Sequence, residues 1–131
     1  PVRGCTDTAL ALTVTTDADS YPLGASPRIT LTARNASAAP CRRDLGSGAV
    51  ELLVFSGADR VWSSDDCQQG RAADPVTLPP GGTRSVVLTW SGKRSAPGCS
   101  GTRTEAKAGT YRVAGRVGTL RQDGSVFRFR G

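Results

Sequence analysis

Few side chains in this chain could do chemistry. Asp65 and Asp66 stand side by side just before Cys67, and Glu105 lies alone in a polar stretch. Two carboxylates in one loop suit acid–base work on a glycosidic bond or a share in a calcium shell. Neighbours in sequence do not face each other predictably, and the plainer reading is a solvated polar loop. The chain has no histidine. That removes Ser-His-Asp and Cys-His catalysis, most zinc and copper sites, and imidazole switching near neutral pH. No GxGxxG, GxxxxGK(S/T) or GxSxG run occurs, so neither a phosphate-cradling loop nor a nucleophile elbow is expected. The expectation is a non-enzyme with no catalytic group, cofactor or metal.

The four cysteines carry more information. Cys5, Cys41, Cys67 and Cys99 contain no CxxC pair, which speaks against zinc. Two disulfides are expected instead, and with them an oxidising, extracytoplasmic setting, secreted or in the cell envelope. Four cysteines allow three pairings. Each cysteine follows or precedes an expected strand. If successive strands reverse direction, all four fall at one pole, close to both chain ends. The first two strands should be neighbours, which favours Cys5–Cys41 and leaves Cys67–Cys99. The loops 65–74 and 92–107 at that pole are the expected contact surface. The turns 56–59, 79–82 and 122–124 would then form the opposite end.

Charge and aromatic placement suggest partners. The net charge is +6, and of the 17 basic residues only Lys93 and Lys107 are lysine. Arginine bias of a high-GC genome explains part of this excess; the rest suits an anionic surface. Arg112, Arg116, Arg128 and Arg130 should lie on the faces opposite Tyr111, Val113, Phe127 and Phe129. With a connecting loop of three or five residues, Arg116 and Arg130 would oppose each other, a repulsion that a bound anion or nearby acid would relieve. Trp90 continues the Val86–Leu88 face into the core. Trp62 belongs either to the core or, if exposed, to a stacking or anchoring surface. The expected partner is a protein, an anionic envelope polymer or a lipid surface. Nucleic acid is not expected, because the basic faces lack interleaved aromatics. Glu51 reads as a surface position on its strand, and Asn35-Ala36-Ser37, an N-glycosylation pattern, as a loop.

The elements that must position these residues are strands. Leu10, Leu12 and Val14 alternate with polar neighbours, as do Ile29, Leu31 and Ala33, then Val86, Leu88 and Trp90, and the segments near 111–117 and 127–130. Val50–Phe55 is a nearly unbroken apolar run, consistent with cover on both faces. About eight short strands separated by turn signals predict an all-β, Ig-like antiparallel sandwich, with residues 1–131 forming a single domain. No run approaches the ~18 apolar residues of a membrane span. Because the chain begins at Pro1, a signal peptide or membrane tether ahead of it is expected.

A resemblance supports this architecture. Tyr21-Pro22-Leu23-Gly24, Leu31, Asn35-Ala36-Ser37, Trp62-Ser63, Leu78-Pro79-Pro80-Gly81, Trp90 and Ala108-Gly109-Thr110-Tyr111 resemble the bacterial intracellular proteinase inhibitor family of Ig-like domains. The Cys5 to Cys41 spacing is similar to small extracytoplasmic domains of high-GC Gram-positive bacteria. The first resemblance implies an Ig-like fold and, as an alternative to a binding or scaffolding role, inhibition of a proteinase through an exposed loop.

Overall fold

Period-two patterning decides which faces turn inward. In Leu10–Thr16 the side chains at 10, 12 and 14 are buried and those between them exposed. In Gly109–Val117 the side chains of Tyr111, Val113 and Val117 enter the core, with Arg112 and Arg116 on the other face. The computed structural model describes residues 1–131 and holds eleven strands: β1 (Arg3–Gly4), β2 (Leu10–Thr16), β3 (Ser20–Pro22), β4 (Arg28–Asn35), β5 (Cys41–Asp44), β6 (Val50–Ser56), β7 (Asp59–Ser63), β8 (Pro75–Leu78), β9 (Thr83–Thr89), β10 (Gly109–Val117) and β11 (Leu120–Arg130). A single 3-10 turn spans Pro97–Cys99.

The strands form three sheets: β1-β5-β8, β3-β11-β10-β6-β7 and β2-β4-β9. The last two face each other across one core. Trp90, Phe127, Ile29, Leu31, Leu52 and Val113 fill it and are almost fully excluded from solvent. Phe127 meets Tyr21 edge-on and Tyr111 face-on, with centroids 5.7 and 5.5 Å away. Gly115 and Gly124 let β2 rest directly on the larger sheet. A Cβ on Gly124 would stand 2.2 Å from the Val14 carbonyl oxygen, and one on Gly115 2.7 Å from Leu31 Cδ1. Leu53, on the outer face of β6, is still 97% buried, being 3% exposed, so the apolar run of β6 is covered on both faces as expected.

The strand count is higher than eight because β1, β3 and β5 are too short to leave a period. The simple alternation of directions also fails. Taking the Leu10–Asn35 end as the first pole, β9 runs away from it, since Thr83 lies opposite Arg34 and Thr89 opposite Arg28. β10 runs toward it, with Val117 opposite Val50. The turn 79–82 therefore sits at the first pole, where Gly81 and Gly82 exchange backbone hydrogen bonds with Asn35. Residues 122–124 are not a turn but part of β11; the hairpin is Gly118-Thr119, where Val117 faces Leu120. Pro1 lies near the first pole and Gly131 near the second, so the chain ends do not share a pole.

Both favoured disulfides form. Cys5–Cys41 has Cα atoms 4.9 Å apart and Cys67–Cys99 4.6 Å. The second pair meets for a reason the direction count missed. β9 delivers Trp90 to the second pole. The chain then climbs back along the edge of β7, where Arg94 bonds Asp59, Ser95 N–H bonds the Val61 carbonyl and Ser95 Oγ accepts from Ser63 N–H. This irregular return carries Cys99 to Cys67.

Candidate functional site

Asp65 and Asp66 lie just past the end of β7, and the structure sends them to different arginines. Asp66 is buried and takes both guanidinium nitrogens of Arg60, at 3.0 and 2.7 Å, plus the Ser95 hydroxyl at 2.6 Å. Asp65 takes Arg116 Nη2 at 3.2 Å. Arg116 also donates to Glu51 at 3.0 Å and to the carbonyls of Ala49 and Gly118. Glu51 accepts the Ser63 hydroxyl as well. Glu51 is thus a half-buried hub rather than a surface position, with its side chain 14% exposed. Three carboxylates and two guanidiniums interlock on the outer face of β6, β7 and β10 and tie down the loop that leads to Cys67.

The protonation of the two aspartates diverges. Burial pushes Asp65 above the usual carboxylate range, helped by the nearby Glu51 charge, and its Oδ1 is buried without a partner. Burial also pushes Asp66 upward, but the hydrogen bonds from Arg60 and Ser95 outweigh it and hold the carboxyl below its ordinary value. Divergent carboxylates can mark an acid–base pair. Here each has its own arginine, and no group of three carboxylate or thiol side chains is arranged to hold a metal ion.

The four arginines of the last two strands share the outer face as expected, but they form no common patch. Arg116 is occupied by Glu51 and Asp65. Arg112 lies over the Phe55 ring, 4.7 Å from its centroid, and 3.8 Å from Asp123. Arg130 donates to Ser20 Oγ at 3.0 Å and sits opposite Pro22, not Arg116. Arg121 is the residue opposite Arg116, because the hairpin turns at Gly118-Thr119 rather than about Asp123. Arg128 is exposed, opposite Thr110. The like-charge pair Arg116–Arg121 is relieved by acids of the chain itself.

Trp62 packs at a tilt against Trp90 with ring centroids 5.9 Å apart, a packing position rather than an exposed platform. Asn35 is fully buried at the end of β4. Its amide donates to the carbonyls of Ala39 and Leu78 and accepts from Ser37 N–H and Oγ. It holds a bend and is closed to a glycosylating enzyme.

Two open clefts of similar size are present: one of about 420 Å³ lies between the start of the chain and residues 37–41, and the other lies beside the second disulfide's loop. The latter encloses about 410 Å³ between the 56–59 hairpin and the 94–108 segment, and is lined by Asp59, Arg94, Thr104, Glu105, Lys107 and Tyr111. A narrow hairpin-like loop builds one wall, with Arg94 N–H bonded to Thr104 and Ala106 N–H to Gly92. Trp90 anchors its base by donating Nε1–H to the Lys93 carbonyl at 2.9 Å. The Asp59–Arg94 pair is bidentate, both bonds 2.9 Å. Tyr111 donates its hydroxyl to the Lys107 carbonyl, and burial raises its pKa. Loop 92–107 contributes to a concave surface, but at the 56–59 hairpin end rather than at the Cys5–Cys41 pole, whereas loop 65–74 is fastened down, by the ion pairs at one end and by Ser47 and Gly48 at Gln68 and Ala72. The cleft was not legible beforehand, because Asp59 and Tyr111 reach it from two separate strands.

Several solved structures share this fold. A β-glucosidase from Erythrobacter marinus aligns with TM-score 0.56 and 13% identity over 92% of this chain and 15% of that one. An alkylpurine DNA glycosylase from Pseudomonas fluorescens aligns with TM-score 0.52 and 12% identity over 92% and 30%. A Listeria innocua β-glucosidase in complex with laminaribiose gives 0.50 and 13% over 93% and 16%. The chain therefore spans less than a third of the length of these proteins, and at such identity the likeness concerns the fold alone. No curated protein matches the chain in sequence. A family profile does match, over residues 5–123, which takes in all four cysteines, the acidic cluster and the cleft; the chain belongs to the family described as a domain of unknown function, DUF4232.

Proposed function

We propose that the chain is a non-catalytic binding or scaffolding domain of Ig-like sandwich type that works outside the cytoplasm as part of a cell-envelope or secreted protein. The observation that carries this reading is the fate of the carboxylates. Glu51, Asp65 and Asp66 are the acids best placed for acid–base work, and all three are engaged by Arg60 or Arg116. Their arrangement serves to fasten a loop. With no histidine and no free thiol, the chain offers no activated nucleophile.

The cleft supplies the contact surface. Its mixed lining, with Arg94 and Lys107 beside Asp59 and Glu105, suits a polar protein segment better than a uniformly anionic polymer. The disulfide at Cys67–Cys99 keeps the wall ordered, which lowers the entropic cost of binding. The larger glycosidases that contain a domain of this fold are consistent with an accessory role, since the domain is a small part of each.

The test is residue-resolved. Amide resonances would be followed while the domain is titrated with solubilised envelope protein, with vesicles containing phosphatidylglycerol, and with a phosphate-bearing wall polymer. Shifts centred on Arg94, Thr104 and Lys107 with envelope protein support the reading. Shifts centred on Arg121, Arg128 and Arg130 with vesicles or polymer transfer binding to the outer arginine face. Turnover of any added glycan that Asp66→Asn abolishes overturns the non-catalytic reading.

A further inference from the structure

β9 closes one side of the three-stranded sheet, and no other strand pairs with its far side. Its register identifies the free backbone groups. Trp90 N–H bonds the Pro27 carbonyl and Asn35 N–H bonds the Gly82 carbonyl, two opposed pairs at the two ends of the β4–β9 ladder. Hydrogen-bonded pairs alternate with non-bonded ones along an antiparallel ladder. Arg84, Val86 and Leu88 therefore turn their N–H and C=O groups toward β4, while Thr83, Ser85, Val87 and Thr89 turn theirs outward. None of these outward groups has a backbone partner in the loops or turns.

The other edges are managed. β2 leans on β11, with Thr16 N–H bonded to Ser125 Oγ. β7 is covered by Ser95. β1 and β3 have two and three residues, and β8 begins with Pro75. β9 has seven residues without Pro, Lys or a register shift, and carries Val87 and Leu88 at 42% and 38% exposure. A long, open, apolar-bearing edge is a template for another strand.

We propose that β9 pairs antiparallel with β9 of a second copy of this chain, about a two-fold axis through Val86. That register sets Ser85 against Val87 and Thr83 against Thr89, so outward-facing groups meet outward-facing groups along the whole strand. It places Val86 against Val86 at a close, non-hydrogen-bonded position, and Arg84 against Leu88 of the other copy. The two Arg84 side chains are then offset by four residues, roughly 13 Å along the strand at ~3.3 Å per residue. That exceeds the Debye length of about 8 Å at physiological salt. Self-pairing in this register meets no direct like-charge opposition. The net charge of +6 on each copy still repels at low salt, so the pairing strengthens as salt is added.

Sedimentation velocity over a concentration series tests the proposal with the whole chain. A reversible monomer–dimer equilibrium that tightens from low to moderate salt is expected. Val87→Pro removes an N–H that faces outward, so it leaves the β4 ladder intact while blocking the seam. It is expected to weaken the dimer about tenfold or more, because each copy loses an inter-strand hydrogen bond and the ring intrudes on the seam. Val87→Lys, which keeps the backbone donor, is expected to weaken it in the same direction, and both variants should keep the fold of the wild type by circular dichroism. A wild-type chain that stays monomeric up to its solubility limit, or a dimer indifferent to both substitutions, overturns the proposal.

Discussion

Replacing Asp66 by alanine separates a structural clasp from a reactive carboxylate. Its side chain is only 2% exposed and meets Arg60, itself 33% exposed, through two charge-assisted bonds, with a third bond from Ser95. Bonds to charged groups contribute about 1.5–3 kcal/mol each, and they do not add when one partner can rehydrate. Arg60 retains solvent access and has Glu51 at 4.0 Å, so the loss stays well below the sum of the three bonds and near the worth of one. The expected loss is about 2–3 kcal/mol, which for a chain of this size lowers Tm by about 8–12 °C. A double-mutant cycle with Arg60→Ala should return a coupling of about 1–2 kcal/mol. The pH dependence has a definite sign. Because the folded pKa of Asp66 is depressed, its stabilisation is complete above the ordinary value of 3.8 and is lost as pH falls through the folded value. The gap in stability between wild type and Asp66→Ala should therefore be full near neutrality and shrink below that value. Calorimetric or urea unfolding across pH measures all of this. A loss under about 0.5 kcal/mol, or a gain in stability of the kind expected when a strained functional group is removed, would refute the clasp.

Four other outcomes follow from the same contacts. Asp65 has a raised pKa from burial and the Glu51 charge, so it works against stability as pH rises through that raised value; Asp65→Asn should flatten the decline, read by unfolding from about pH 4 upward. Asn35→Ala leaves the Ala39 and Leu78 carbonyls short of a donor and is expected to lose about 2–3 kcal/mol in denaturant unfolding. Gly124→Ala drives a methyl against the Val14 carbonyl and should cost about 1–3 kcal/mol by forcing β2 off β11, seen as lost amide-exchange protection along Leu10–Thr16. Opening the Cys67–Cys99 bridge by a double serine substitution is expected to cost roughly 3–4 kcal/mol on the chain-entropy model for its 32-residue separation, while chemical shifts of core residues such as Phe127 stay in place.

The parts of the fold that were legible are those with a period. Leu10–Val14, Ile29–Ala33 and the Phe127/Phe129 strand declare their faces because one side of each is buried and the other wet. β1, β3 and β5 hold two to four residues, too few for a period to show. The strand directions failed because alternation assumes hairpins throughout, whereas the chain between β7 and β9 changes sheets twice, by way of β8. The cysteine pairing survived that error, since an irregular return along β7 supplied the missing reversal.

Asp65 and Asp66 were legible as residues worth notice, but not as a clasp. Their partners, Arg60 and Arg116, come from strands whose registers only the folded sheet fixes. The role of Glu51 was hidden for the same reason: a lone acid in an apolar strand looks like a surface position until Arg116 and Ser63 are brought across from both neighbours. Asn35 matched a modification pattern by type alone, and its burial at the strand end removes that meaning.

The oxidising setting underlies the rest of the functional reading, and one measurement reaches it directly. Cells producing the protein in its native compartment would be lysed into alkylating reagent, and the unreduced, denatured chain weighed by mass spectrometry. No alkyl adducts, with adducts on Cys5, Cys41, Cys67 and Cys99 appearing only after reduction, is the expected result. Four adducts without reduction would mean that the chain works with free thiols in a reducing compartment, and would contradict an extracytoplasmic, disulfide-clasped binding domain.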